Sequence, residues 1–278
     1  MRVLLATALA LGAAVLHASW NLIVKQSGDR QMALWGQFTI AGTLCAVGLV
    51  AWSAIDSPPT IAWPWAIASG AMHVPYIMLL SRAYNSGDFS MSYPIVRGAG
   101  ALAGALGGVI ILGDTLSPLS MFGVLIVVAG LTVLSSNTTL ATIAPALSVS
   151  ATIGIYTVID AHGSRQSQAI AYSMALLVSA AVMVSLWVAV TRRRAMAPTL
   201  RAHWRILTVS GVFSAIAYSM VLVAVQYAPV GYVAALRESS VVIAAFAGWR
   251  MLDEGDHRRR ITAAFVVFLG LAVLVAGG

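Results

Sequence analysis

The sequence predicts an all-α polytopic membrane protein with ten transmembrane helices arranged as two inverted five-helix repeats. Three observations carry that prediction. Of the 278 residues, 60% are hydrophobic and only 9% are charged, whereas soluble chains carry about 25% charged residues. Apolar runs separated by polar or Pro/Gly breaks recur ten times, each close to the roughly 20 residues that cross a bilayer. Finally, sliding the sequence by 140 residues brings its two halves into register without a gap.

The ten runs fall at 3–24, 32–54, 64–84, 91–112, 119–135, 140–160, 168–190, 204–226, 231–251 and 260–277. The first has no small-x-small cleavage site before Trp20, so it reads as a retained span rather than a signal peptide. The longest polar stretches between runs are Thr191–His203 and Asp253–Arg260. Neither could fold as a soluble receptor or ATPase domain, and the chain divides only into halves, 1–136 and 140–278. Cys45 is the single cysteine, so no internal disulfide can form. The net charge of +7 reports membrane orientation rather than nucleic-acid binding, because it is spread over loops between apolar runs.

That charge is lopsided. Twelve of the 16 Lys and Arg residues lie in the odd-numbered loops: Lys25, Arg30, Arg82, Arg192, Arg193, Arg194, Arg201, Arg205, Arg250, Arg258, Arg259 and Arg260. The opposite side holds Arg2 and Arg165. The positive-inside rule then puts the odd loops in the cytoplasm and both termini in the periplasm of a bacterial-type inner (plasma) membrane. Trp52, Trp63, Trp65 and Trp204 fit interface positions.

At the 140-residue shift Arg97 meets Arg237, Gly108 meets Gly248 and Asp114 meets Glu254. Val127, Gly130, Leu131 and Leu134 likewise meet Val267, Gly270, Leu271 and Leu274. Five helices is an odd number, so the second unit enters the membrane upside down. Inverted repeats with a site at their interface near the midplane are a signature of secondary transporters.

The strings HASWNLIVK in the first span, YPIVRG opening the fourth and LGDTLSPLSMFGVLIVVAGL entering the fifth carry a resemblance. In the second half they are answered by ALRESS and MLDEGDHRRRITAAFVVFLGL. The chain resembles the drug/metabolite transporter superfamily, specifically its EamA-type ten-helix members, over essentially its whole length. The resemblance implies a carrier of small metabolites, often an exporter of amino acids or related compounds. Many relatives are drawn with cytoplasmic termini, opposite to the charge count here.

Polar groups inside lipid need a reason. His17, Trp20 and Asn21 share one face of the first span, and Tyr156 and Asp160 stand four apart in the sixth. They are either interhelical hydrogen-bond partners or the lining of a polar cavity. His73 and Tyr76 flank Pro75 in the third span; Ser214 and Tyr218 take the related place in the eighth, and Tyr93 opens the fourth. Gly100, Gly104 and Gly108 form a small-residue stripe for close helix packing. Arg97, Arg237 and Glu238 are the costliest residues, at about 2.5–3.5 kcal/mol each at a span centre. A snorkelling arginine is one reading. In the other, Arg237 and Glu238 compensate each other locally while Arg97 meets a substrate carboxylate or phosphonate. Inverted halves would then set Arg97 and Arg237 about 9 Å inside opposite faces, one at each gate. Glu238 and Asp160 are the candidates for coupling transport to protons.

The expected function is secondary active export of a small polar or zwitterionic, amino-acid-like metabolite by alternating access. The alternatives are import of an aminophosphonate or quaternary amine, and a non-transporting structural or sensory subunit. The expected partners are the lipid bilayer, a small-molecule substrate and protons. The histidines are scattered without HExxH spacing and there is no nucleotide-binding motif, so no enzyme activity, metal or cofactor is expected.

Overall fold

The structure is a computed structural model and describes residues 2–113, 117–136, 139–224, 227 and 236–277. The described residues form helices α1 (Arg2–Gln26), α2 (Arg30–Ile55), α3 (Trp63–Ser86), α4 (Phe89–Gly107), α5 (Pro118–Ser135), α6 (Leu140–Ser164), α7 (Ala169–Ala224), α8 (Ser240–Leu252) and α9 (His257–Ala276). A π-turn at Gly108–Leu112 ends α4, closed by Gly113 at φ 73°, a left-handed backbone that glycine adopts without strain. Side-chain caps begin two of the helices. Asp29 caps α2 through Met32 N at 3.1 Å, and Ser117 caps α5 through Ser120 N at 3.1 Å ahead of Pro118.

Seven of these helices are long and apolar enough to cross a membrane. Large apolar side chains cover their outer faces, with Val50 71% and Val190 86% exposed. In water such a surface would drive association; in a bilayer it is the face that meets lipid.

The expected loop Thr191–His203 is instead helical, and α7 runs through it with one non-helical residue, Arg192 (φ −141°, ψ 30°). Arginine, alanine, methionine and leucine all favour helix, so polarity alone does not break it. At about 1.5 Å per residue a straight α7 would reach roughly 84 Å, yet both of its arms pack on the same turns of α2. Trp35 Nε1 donates to Ser185 Oγ at 3.1 Å, and Ser210 Oγ donates to Gln37 Oε1 at 3.0 Å. Gly42 abuts Ala181, and Gly36 abuts Leu207. The chain therefore reverses near Arg192, and α7 is a helical hairpin. Part of the expected span 204–226 (225 and 226) and the start of 231–251 (231–235) lie outside the described residues, as does Asp114.

Helices α5 and α9 meet backbone to backbone. A Cβ on Gly123 would lie 2.3 Å from Leu274 N, and one on Gly270 would lie 2.6 Å from Val127 N. Gly130 also meets Val267 N at 3.0 Å, so the pairs Gly130–Val267 and Val127–Gly270 exchange under the 140-residue shift. A self-complementary contact between two related elements has this form. The fourth-span stripe packs as expected, with Gly100 against Ile153 and Gly104 against Thr157 of α6.

The odd-numbered loops gather on one face. Lys25 Nζ donates to Tyr84 O (2.8 Å) and Gly87 O (2.5 Å). Arg192 grips Asp29, Arg260 pairs with Asp88 at 2.6 Å, and Arg259 reaches the carbonyl of Ser136. On the opposite face Gln168 N donates to Thr60 O and Ala62 N donates to Ser167 Oγ. The basic loops thus share one side, as the charge pattern requires.

Candidate substrate site

Tyr93 and Arg97 stand four residues apart on α4, so they share one face. What fixes that helix is Glu254, whose carboxylate accepts from Phe89 N (2.5 Å) and Ser90 N (2.8 Å) at its first turn. Arg260 completes the corner through Ser90 Oγ at 2.9 Å and Asp88. Anions at a helix N-terminus are favoured by the unpaired N–H groups and the macrodipole.

Arg97 points across to the turn before α8 and holds Glu238 in a two-pronged pair: Nε donates to Oε2 at 3.2 Å, and a second N–H donates to Oε1. Arg237 donates to the same Oε1 at 3.2 Å. The expected local pair Arg237–Glu238 is therefore one arm of a three-residue cluster. The expectation of two arginines at opposite gates is corrected, because both converge on one carboxylate. The 140-residue relation survives in sequence, but the side chains reach inward from their helices to a shared point. Glu238 is 4% exposed, and a charge so buried needs such partners. Two guanidiniums against one carboxylate leave the cluster one positive charge in excess.

Aromatic rings wall the cluster. His73 stacks on Tyr156, with centroids 4.9 Å apart and planes at 25°, while Tyr76 lies edge-on at 5.7 Å from His73 and 5.9 Å from Tyr156. Phe38 closes the far side of His73 at 5.3 Å, and His73 Nδ1 is hydrogen-bonded with Ser69 O. From α1, His17 sits 5.0 Å from Trp20 and 6.4 Å from Tyr93. Tyr76, Tyr93, Tyr156 and His17 all lie within electrostatic reach of Arg97.

Two expected residues sit differently. Asn21 has its amide committed, donating to His17 O at 2.8 Å and accepting from Tyr84 OH at 2.7 Å, so it ties α1 to α3. Asp160 accepts from Tyr172 OH at 3.0 Å and lies near Tyr218, in a second polar group beside the aromatic wall. Several buried polar atoms have no hydrogen-bond partner among the described residues, among them Trp20 Nε1, Arg237 Nε and Ser239 Oγ. Such groups are costly unless a ligand or water serves them.

At the basic face, burial raises the Asp29 carboxyl, but hydrogen bonds from Arg192 and Met32 N outweigh that and hold it below its ordinary value. A cavity of about 330 Å³ lies beside it, lined by Gln26, Ser27, Met32, His203 and Leu207. It is separate from the Arg97 cluster. Sequence reasoning missed Glu254, Tyr84 and Arg260 as organisers of the site. The Asp114–Glu254 match was the available signal for the first.

Comparison with known proteins bears on the second half of the chain. Residues 140–276 match the family model described as the EamA-like transporter family. This half belongs to that family. The matched model is that of a family of membrane transporters. No curated protein matches the chain. A solved crystal structure, described only as that of a protein, is similar over 96% of this chain and 95% of its own, with TM-score 0.64 and 16% identity. At that identity the likeness speaks for the fold alone. Glu238, Arg237, Tyr156 and Asp160 come from the matched half, whereas Arg97, His73 and His17 come from the other.

Proposed function

We propose that the protein is a secondary active transporter that exports a small zwitterionic, amino-acid-like metabolite across a bacterial-type inner membrane by alternating access. In this reading the ten predicted spans form two inverted five-helix repeats, and both termini are periplasmic. The observation that carries it is the Arg97–Glu238–Arg237 cluster beside the His73–Tyr76–Tyr156 wall, built from both halves of the chain. Charged groups suit the ionic ends of a zwitterion, and the faces of tyrosine rings suit its ammonium.

The basic face supplies a gate. Glu254 on the start of α4, Arg260 on Asp88 and Lys25 on Gly87 O tie α1, α4 and α9 together, so cytoplasmic access requires these contacts to part. The exchanging contact of α5 with α9 supports a pseudo-two-fold relation between the halves, and the gathering of basic loops supports the orientation. Glu238 serves coupling: a proton on it would release Arg97 for substrate. Export follows from the family resemblance.

The test is transport by purified protein in liposomes, with an outward gradient of labelled zwitterionic amino acids as the only driving force. Efflux above that of protein-free liposomes supports the proposal. Its absence across amino acids and aminophosphonates overturns it.

A further inference from the structure

We infer that Arg97 and Arg237 form a subsite for the oxyanion of the transported molecule, a carboxylate or a phosphonate, and that Glu238 occupies this subsite as an internal competitor which the incoming oxyanion displaces. The inference deepens the transport reading above and rests on it for the fate of the bound molecule, though not for the binding itself.

The geometry supplies the first argument. Arg97 and Arg237 come from α4 and from the turn before α8, and both donate to Oε1 of one carboxylate. An arginine fork matches a planar carboxylate or a phosphonate by shape, which an ammonium or hydroxyl would not satisfy. Glu238 therefore marks where an oxyanion fits.

Charge supplies the second. The cluster carries one positive charge more than it neutralises, inside a chain that reads as spanning lipid, where an unmatched charge is costly. An oxyanion end set against the guanidiniums offsets that excess locally, whereas an ammonium set there worsens it. Asp160, a second carboxylate on α6, accepts from Tyr172 OH at 3.0 Å and forms no ion pair with either arginine among the described residues.

The third argument is the stock of idle donors. Arg237 Nε is buried with no partner among the described residues, and so are Trp20 Nε1 and Ser239 Oγ. The hydroxyls of Tyr93 and Ser240 adjoin without completing a hydrogen bond of good geometry. Tyr93 is 1% exposed and Ser240 is fully buried. Each of these five groups can donate, and the three bonds Glu238 accepts from the arginines leave it about one acceptor position. A second oxyanion adds the acceptors they lack.

Displacement gives Glu238 a role of its own. With Glu238 on Arg97 the two helices are tied across the centre. When a substrate oxyanion takes Arg97, the tie between α4 and α8 passes through the substrate instead. The site then closes around cargo and around its own glutamate by the same contacts.

The experiment is chemical rescue, read as the unfolding temperature of the purified full-length protein in detergent at constant ionic strength. Acetate and methylphosphonate are the probes, and methylammonium chloride is the control. Glu238→Ala should be less stable than the parent and regain stability with either oxyanion. Its half-maximal concentration should be about tenfold lower than that of the parent protein, where Glu238 competes. Methylammonium should restore nothing, and Arg97→Ala/Glu238→Ala should lose the response. If Glu238→Ala does not fold, Glu238→Gln fills the same space without the charge and should show the same tighter response. No rescue in either variant overturns the inference. So does equal stabilisation of the parent, the single and the double variant, which would mean an adventitious ion only. Acetate and methylphosphonate separate the two oxyanions, the more effective naming the class. Rescue without transport would sink the transport reading alone, and transport without rescue would sink the subsite alone.

Discussion

Removing the carboxylate of Glu254 should loosen the helix that carries Arg97, although Glu254 lies at the basic face and touches neither arginine of the cluster. Its two oxygens accept from Phe89 N at 2.5 Å and Ser90 N at 2.8 Å, and Glu254 is only 9% exposed. Glu254→Ala leaves two poorly hydrated donors at the first turn of α4, each worth roughly 1–3 kcal/mol when unsatisfied. Losing the cap is expected to cost about 3 kcal/mol in all, since water recovers part of the bonding. Glu254→Gln keeps one acceptor but turns an NH₂ group toward the other N–H, so it should cost about half as much. Gly248→Ala offers an independent route to the same defect. Its Cβ would lie 2.5 Å from Glu254 Oε2 and 2.8 Å from Ser90 Cβ, pressing the cap off its helix. Equilibrium unfolding in mixed micelles measures all three. If Glu254→Ala unfolds with the parent protein, or Gln costs as much as Ala, acceptor geometry at α4 is not what holds the helix.

Other expectations concern packing, pH and orientation. Gly123→Val and Gly270→Val should each destabilise by about 1–3 kcal/mol or more, because the neighbours at 2.3 and 2.6 Å are backbone atoms. Gly28→Ala, with open space around it, should be neutral in the same unfolding assay. The Asp29 carboxyl is depressed in the fold by Arg192 and Met32 N against the opposing effect of burial. Its contribution is therefore present above the unfolded Asp value of about 3.9 and fades as pH falls below it. The difference in unfolding temperature between the parent and Asp29→Asn should shrink on acidification through that range, and a constant difference would refute the role of ionisation. A C-terminal fluorescent-protein fusion, which matures only in the cytoplasm, should stay dark, while a C-terminal phosphatase fusion is active. The reverse pattern would place the termini inside.

Much of this architecture was legible from hydropathy, because a lipid-facing helix must be apolar along its whole length. Hydropathy alone passed over the caps that start α2 and α5, Asp29 and Ser117-Pro118, because they are polar local signals outside the apolar runs. The stretch at 191–203 was misread because charge was taken for a break, while its residues are good helix formers and only Arg192 departs from helical angles. For the site, the costly residues Arg97, Arg237 and Glu238 announced themselves by being charged inside apolar runs. Their convergence could not be read, because register along a helix says nothing about how far a long arginine side chain reaches. Asn21 looked like a cavity residue by its helical spacing. Its commitment to Tyr84, 63 residues away, is a tertiary fact that no local pattern encodes.

Counterflow in liposomes tests the central claim most directly. Vesicles loaded with an unlabelled zwitterionic amino acid, diluted into a trace of the labelled compound, should accumulate label transiently above equilibrium when they contain the parent protein. Arg205→Ala, altered at an exposed position of α7, should do the same, while Arg97→Ala should not. Undiminished counterflow in Arg97→Ala, or none with the parent protein, would contradict a carrier whose substrate binds at the Arg97–Glu238–Arg237 cluster.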